Sequence, residues 1–161
     1  MSLVQDMVEE LRREAQSTRL VIERVPEASL RWRPHVKSMS LGQLALHTAG
    51  LPGGLAELLN APVREVPTVP LPEAESVAEI LSVLEEQVAA AEEIIRTWED
   101  EALREPFRWT LQDQVISETP RFEQVRSLLF NHWYHHRGQL TVYLRLLDVP
   151  VPGIYGPSAD E

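Results

Sequence analysis

The stretch Thr119–Leu147, TPRFEQVRSLLFNHWYHHRGQLTVYLRLL, decides how this chain folds. At about 100° per residue, Phe122, Val125, Leu129, Trp133, Leu140, Tyr143, Leu144 and Leu147 lie along one stripe of a helix. Pro120 suits the first helical position, and DVPVPG from Asp148 stops the run. The stretch therefore predicts one long amphipathic helix, beginning near Thr119 and ending near Leu147. It also holds His132, His135 and His136, three of the five histidines in the chain.

Three further segments share the helical period. Val4, Val8, Leu11, Ala15, Thr18, Ile22 and Val25 advance in steps of four and three up to Pro26. A second helix opens with Ser40 as N-cap and places Leu44, His47, Leu51, Leu55 and Leu58 on one side. Its middle reads GLPGG, where Pro52 costs about 3 kcal/mol in a helix interior, so a kink or break is expected there. The third carries the capping-box signature SVAE at Ser76–Glu79, followed by Val77, Leu81, Leu84, Val88, Ala91, Ile95 and Trp98. Between the second and third, NAPVREVPTVPLPEAE holds four prolines and reads as an extended crossover. Residues 106–118 have short apolar and β-branched content compatible with a small hairpin or an irregular loop. Four amphipathic helices with one long crossover predict an all-α fold, a four-helix bundle.

At 161 residues, a single domain over 1–161 is expected. Its composition, 43% hydrophobic and 25% charged, is that of a folded globular protein. The opening residues lack the basic start and apolar block of a signal peptide, and no apolar run is long enough to span a bilayer. A cytoplasmic protein without membrane partners is the expectation. A formal charge of −10 repels phosphate backbones, and no basic patch offsets it, so no nucleic-acid partner is expected. There are no cysteines, so disulfides, thiolate ligands and a cysteine nucleophile are excluded within the chain.

The histidines carry the chemistry. His132 and His136 stand about 40° apart around the helix, one turn above the other; His135 also reaches His132 by the three-residue spacing. The apolar stripe separates the two pairs: His136 lies near its centre and His132 on its flank, whereas His135 falls toward the rim. His47 lies in the apolar stripe of the second helix. Three inward imidazoles without partners cost about 1–3 kcal/mol for each unsatisfied group, and a shared metal ion removes that cost. Nitrogen-only ligation suits Zn, Ni, Fe or Cu better than Ca or Mg, and a three-histidine set leaves a position open to water or substrate. The plainer reading is that each histidine is a core residue hydrogen-bonded to a carbonyl or carboxylate. His35, in WRPHVKSMS, reads as a surface or turn residue. Gln139 lies close enough in helical phase to hydrogen-bond a ligand, and Arg137 reads as an ion-pair or dimer residue.

LGQLALHTAG (Leu41–Gly50), NHWYHHRGQL (Asn131–Leu140) and the tail VPVPGIYGPSADE together resemble the DinB/YfiT-like superfamily over essentially the whole chain. The resemblance implies an up-down-down-up four-helix bundle, a homodimer, and a divalent metal held by His47, His132 and His136. It leaves His135 as a residue behind the ligands or on the pocket wall. Some relatives are transferases or isomerases that use a low-molecular-weight thiol such as bacillithiol, mycothiol or glutathione. The resulting expectation is a divalent transition metal, Zn, Ni or Fe, activating a small thiol or water toward a small-molecule substrate. The alternative is a non-enzymatic metal-binding stress-response protein.

Overall fold

The computed structural model describes residues 2–69 and 71–160. Helix α1 spans Leu3–Ile22, α2 spans Leu41–Leu59 and α3 spans Val77–Arg96. The fourth rod is composite: a short α4, Arg121–Gln124, runs through a π-helical stretch, Val125–Asn131, into α5, His132–Leu146. Strands β1 (Val63–Glu65), β2 (Pro106–Leu111) and β3 (Gln114–Pro120) form one sheet in that order. The chain is thus mostly helical with a small three-stranded sheet, which corrects the all-α expectation.

The sheet has local causes. β1 is cut from the proline-rich crossover and pairs in parallel with β2, Arg64 opposite Trp109. β2 and β3 form an antiparallel hairpin in which Leu111 faces Gln114. The intervening Gln112 and Asp113 take φ of 50° and 62°, the paired left-handed conformation that matches strand twist in a two-residue turn. Neither residue is glycine or asparagine, so the usual turn signature is missing from the sequence. Pro120 closes β3 instead of opening the helix, which starts one residue later at Arg121.

Helix starts follow their caps. Ser2 and Ser40 each accept from the backbone N–H three residues on, while Gln5 and Gln43 reach back to the cap N–H. Ser76 caps α3 through the Glu79 N–H, but the Glu79 carboxylate accepts from Glu75 N at 2.7 Å, so the reciprocal half of that box sits one residue upstream. Of the expected kink or break, the break does not occur: α2 runs without interruption through Pro52. Pro52 and Gly53 are buried, and a Cβ on Gly53 would stand 2.9 Å from the Gln87 carbonyl oxygen of α3. The missing side chain lets the two helices approach, and that packing offsets the hydrogen bond lost at proline.

The π-helical stretch adapts the fourth rod to its pattern. Arg121, Val125, Leu129 and Trp133 are buried at successive steps of four. An α-helix would rotate such a series off the core, whereas wider turns keep it on one face.

Helix α2 packs against α3 and α5, and α1 packs against the same two, closing a ring around Leu11, Leu44, Ile80, Leu129 and Trp133. A buried polar knot joins α1 to α5. The Arg137 guanidinium meets the Glu14 carboxylate at 2.6 Å and also donates to Thr18 Oγ1, the Glu14 carbonyl and the Tyr155 hydroxyl. Arg137 is therefore an ion-pair residue within one chain, and Tyr155 brings the C-terminal tail into the same network, donating to Glu14 at 2.7 Å. The tail is held further out by Asp160, which accepts from Val151 N and pairs with Arg145. Among the described residues no glycine adopts positive φ, those of the tail included. Asp148 takes the left-handed conformation (φ 56°) just after α5.

Candidate metal centre

His132 and His136 are one turn apart at the start of α5, and His47 faces them from the middle of α2. The ring centroids of His47 lie 5.8 Å from His132 and 4.6 Å from His136, and those of His132 and His136 are 4.6 Å apart. One nitrogen from each ring lies within 4.8 Å of the other two, so a single cation could be shared. His136 is buried; His47 and His132 are half-buried. The packing of α2 on α5 brings the two helices' ligands together.

Burial lowers the pKa of all three imidazoles. His136 falls furthest, to about 4, because desolvation and the neighbouring His47, His132 and His135 outweigh the opposing effect of its hydrogen bond to Gln139 Oε1. The rings are therefore neutral at pH 7, the form that binds metal.

The hydrogen bonds also fix tautomers. Gln139 Oε1 lies 2.8 Å from His136 Nδ1, so that nitrogen carries the proton and His136 Nε2 is left with a lone pair. His136 Nε2 is 2.8 Å from His132 Nε2, which must then donate if no cation is shared. That choice strips His132 Nδ1 of its proton, and this buried nitrogen has no hydrogen-bond partner. The Leu128 carbonyl acts on the same ring and favours its protonated form, but falls short of hydrogen-bond geometry. A cation at the Nε2 atoms reverses the arrangement: His132 Nδ1 regains its proton and points a donor toward that carbonyl. The donor set thus fits a metal better than it fits a metal-free cluster.

A cavity of about 600 Å³ opens beside the histidines, with His47 and His132 on its wall. Helix α2 contributes Gly50, Gly54, Leu55 and Leu58, α3 contributes Val83 and Gln87, and the crossover closes the third side. The α2 stripe read from the sequence therefore divides in two. Leu44 and Leu51 are buried, while His47, Leu55 and Leu58 are only partly covered; all of these but Leu44 border the cavity.

The remaining polar residues separate cleanly. His135 is exposed, its ring 5.1 Å from that of His136, and it stands outside the cluster. Gln139 is also largely exposed, yet its carbonyl oxygen holds His136 in place. His35 is exposed in a turn, where Nδ1 accepts from Lys37 N. Tyr134 points the other way, its hydroxyl donating to Glu10 of α1, and burial together with that carboxylate raises its pKa. Sequence reasoning missed Gly50, Gly54 and Gln87. The signal for the glycines was present, since positions 47, 50 and 54 share one helical face, but GLPGG reads first as a helix breaker.

The chain is 29% identical over 152 residues to the uncharacterized protein YrdA of Bacillus subtilis (strain 168), with 92% of this chain and 85% of that protein covered. A crystal structure of a DinB-like protein from Bacillus cereus ATCC 10987 shares the fold at TM-score 0.72 and 23% identity, covering 91% of this chain and 94% of that one. A second, the DinB-like protein YjoA from Bacillus subtilis, matches at TM-score 0.70 and 15% identity over 95% and 99% of the two chains. With the model of the DinB family matching residues 1–161 as well, this chain belongs to the DinB family.

Proposed function

We propose that His47, His132 and His136 hold a divalent transition metal, Zn, Ni or Fe, and that the site activates a small thiol or water for a transfer or isomerisation reaction. The observation that carries this reading is the convergence of three neutral imidazoles from two helices, one of them with a buried nitrogen that a metal-free cluster leaves unsatisfied. A bound cation lowers the pKa of a coordinated thiol or water, and so supplies a nucleophile that this cysteine-free chain lacks. The protein's own residues do the rest. Gln139 fixes the His136 tautomer, Trp133 and Leu129 pack the ligand helix against the core, and a largely apolar cavity wall leads to His47 and His132.

A purely structural site needs its fourth position closed by the protein. Among the described residues no carboxylate and no further histidine joins the cluster, and two of the three ligands line the cavity, which favours catalysis over the non-enzymatic metal-binding reading. The test is metal analysis of protein purified without a histidine tag. The wild type is expected to carry one equivalent, His136→Ala none, and His135→Ala nearly the full amount. Full metal content in His136→Ala would overturn the assignment.

A further inference from the structure

Gly50 and Gly54 lie in the interior of α2, where glycine is less favourable than alanine. Gly53 between them has a packing reason to be glycine, because a Cβ there would press on Gln87 at 2.9 Å or less. Gly50 and Gly54 have none: a Cβ at either position would meet nothing within 4 Å. Both face the cavity, one and two turns beyond His47, so what they preserve is open space along the wall that leads to the histidines.

The chemistry of that space is restricted. Among the described residues no lysine or arginine lines it, and its one charged group, Glu79, is negative. Along the part of the cavity away from the histidines, an anionic ligand would be desolvated without a counter-charge. The Gln43 amide is already engaged, with Leu71 O and Ser40 N. The Gln87 amide makes no hydrogen bond with another described residue and offers both a donor and an acceptor.

We propose that this cavity binds an uncharged, largely apolar small molecule along the glycine wall of α2, anchored by the Gln87 amide, with its reacting end at His47 and His132. The inference deepens the metal-site reading by naming the class of substrate, and it rests on that reading only for which end of the molecule reacts. Nothing along the glycine wall would pair with the carboxylates of a glutathione-type thiol.

Titration with Nile red, a neutral apolar dye, tests the proposal in both metal-free and metal-loaded protein. Wild type is expected to bind the dye with blue-shifted emission. Gly50→Leu and Gly54→Leu, which fill the cavity without a backbone clash, should each weaken binding at least tenfold while metal content and melting temperature stay at or above wild type. The anionic dye 8-anilinonaphthalene-1-sulfonate should bind at least tenfold more weakly than Nile red. Unchanged Nile red affinity in both glycine variants, or equal affinity for the anionic dye, would overturn the proposal. If metal is absent from the purified protein but the dye pattern holds, the cavity inference stands and the metal reading alone fails.

Discussion

Gln139 shows how much one exposed side chain controls in this site. By accepting from His136 Nδ1 it leaves a single nitrogen of His136 facing the other two rings. Removing it in Gln139→Leu is expected to weaken metal affinity by about 10- to 100-fold with little change in fold, measured by competition with a chromogenic chelator. Unaltered affinity would show that Gln139 does not orient the ligand. The lowered imidazole pKa values set a pH dependence. Between the ordinary value of 6.5 and about 4, the unfolded chain takes up a proton at His136 that the folded chain refuses. Stability of metal-free protein is therefore full above pH 6.5 and declines as pH falls toward 4, with His47 and His132 contributing in the same direction. Thermal melts between pH 7.5 and 4 check this, and a melting temperature that rises on acidification would contradict it. Spacing allowed His132 to pair with either His135 or His136, and the apolar stripe made His132 and His136 readable as the pair. The His132 nitrogen that lacks a partner was not readable, because it depends on where the Leu128 carbonyl falls in a π-helical turn.

At the scale of elements, the approach of α3 to α2 sets the sign of the effect at adjacent glycines. Gly53→Ala puts a Cβ under 3 Å from a backbone oxygen of α3 and should destabilise by about 1–3 kcal/mol, whereas Gly54→Ala meets open space and should stabilise by about 0.5–1 kcal/mol. Opposite signs at adjacent glycines, read by chemical denaturation, distinguish packing from propensity. Arg137→Met leaves the Glu14 carboxylate buried without its cation and is expected to cost about 3–5 kcal/mol, loosening α1, α5 and the tail together. A loss below 1 kcal/mol would show that the knot is not what joins them. The helical periods located all four rods, and Ser40 and Ser76 marked two starts. The hairpin was only half readable because Gln112 and Asp113 occupy left-handed positions usually given to glycine or asparagine.

For the molecule as a whole, the helices and the sheet play different parts. Helices α2 and α5 bring the histidines together, and the crossover that supplies β1 also walls the cavity beside them. Among the described residues no helix is long and apolar enough to cross a membrane. The exposed face of α5 presents Val142 and Leu146, one turn apart, as an apolar strip. We propose that the homodimer implied by the family resemblance covers this strip, so Val142→Glu combined with Leu146→Glu should give a monomer in sedimentation analysis; an unchanged sedimentation coefficient would place the interface elsewhere. The sequence by itself determined the helices, the inward histidines on the last rod and the family, because periodicity, capping and motif spacing act over a few turns of chain. Only the tertiary structure decided that α2 passes through Pro52, that its glycines border a cavity, and that Arg137 is neutralised by Glu14. Those outcomes depend on which surfaces meet across the ring of helices, and a single helix carries no record of the partner that will face it.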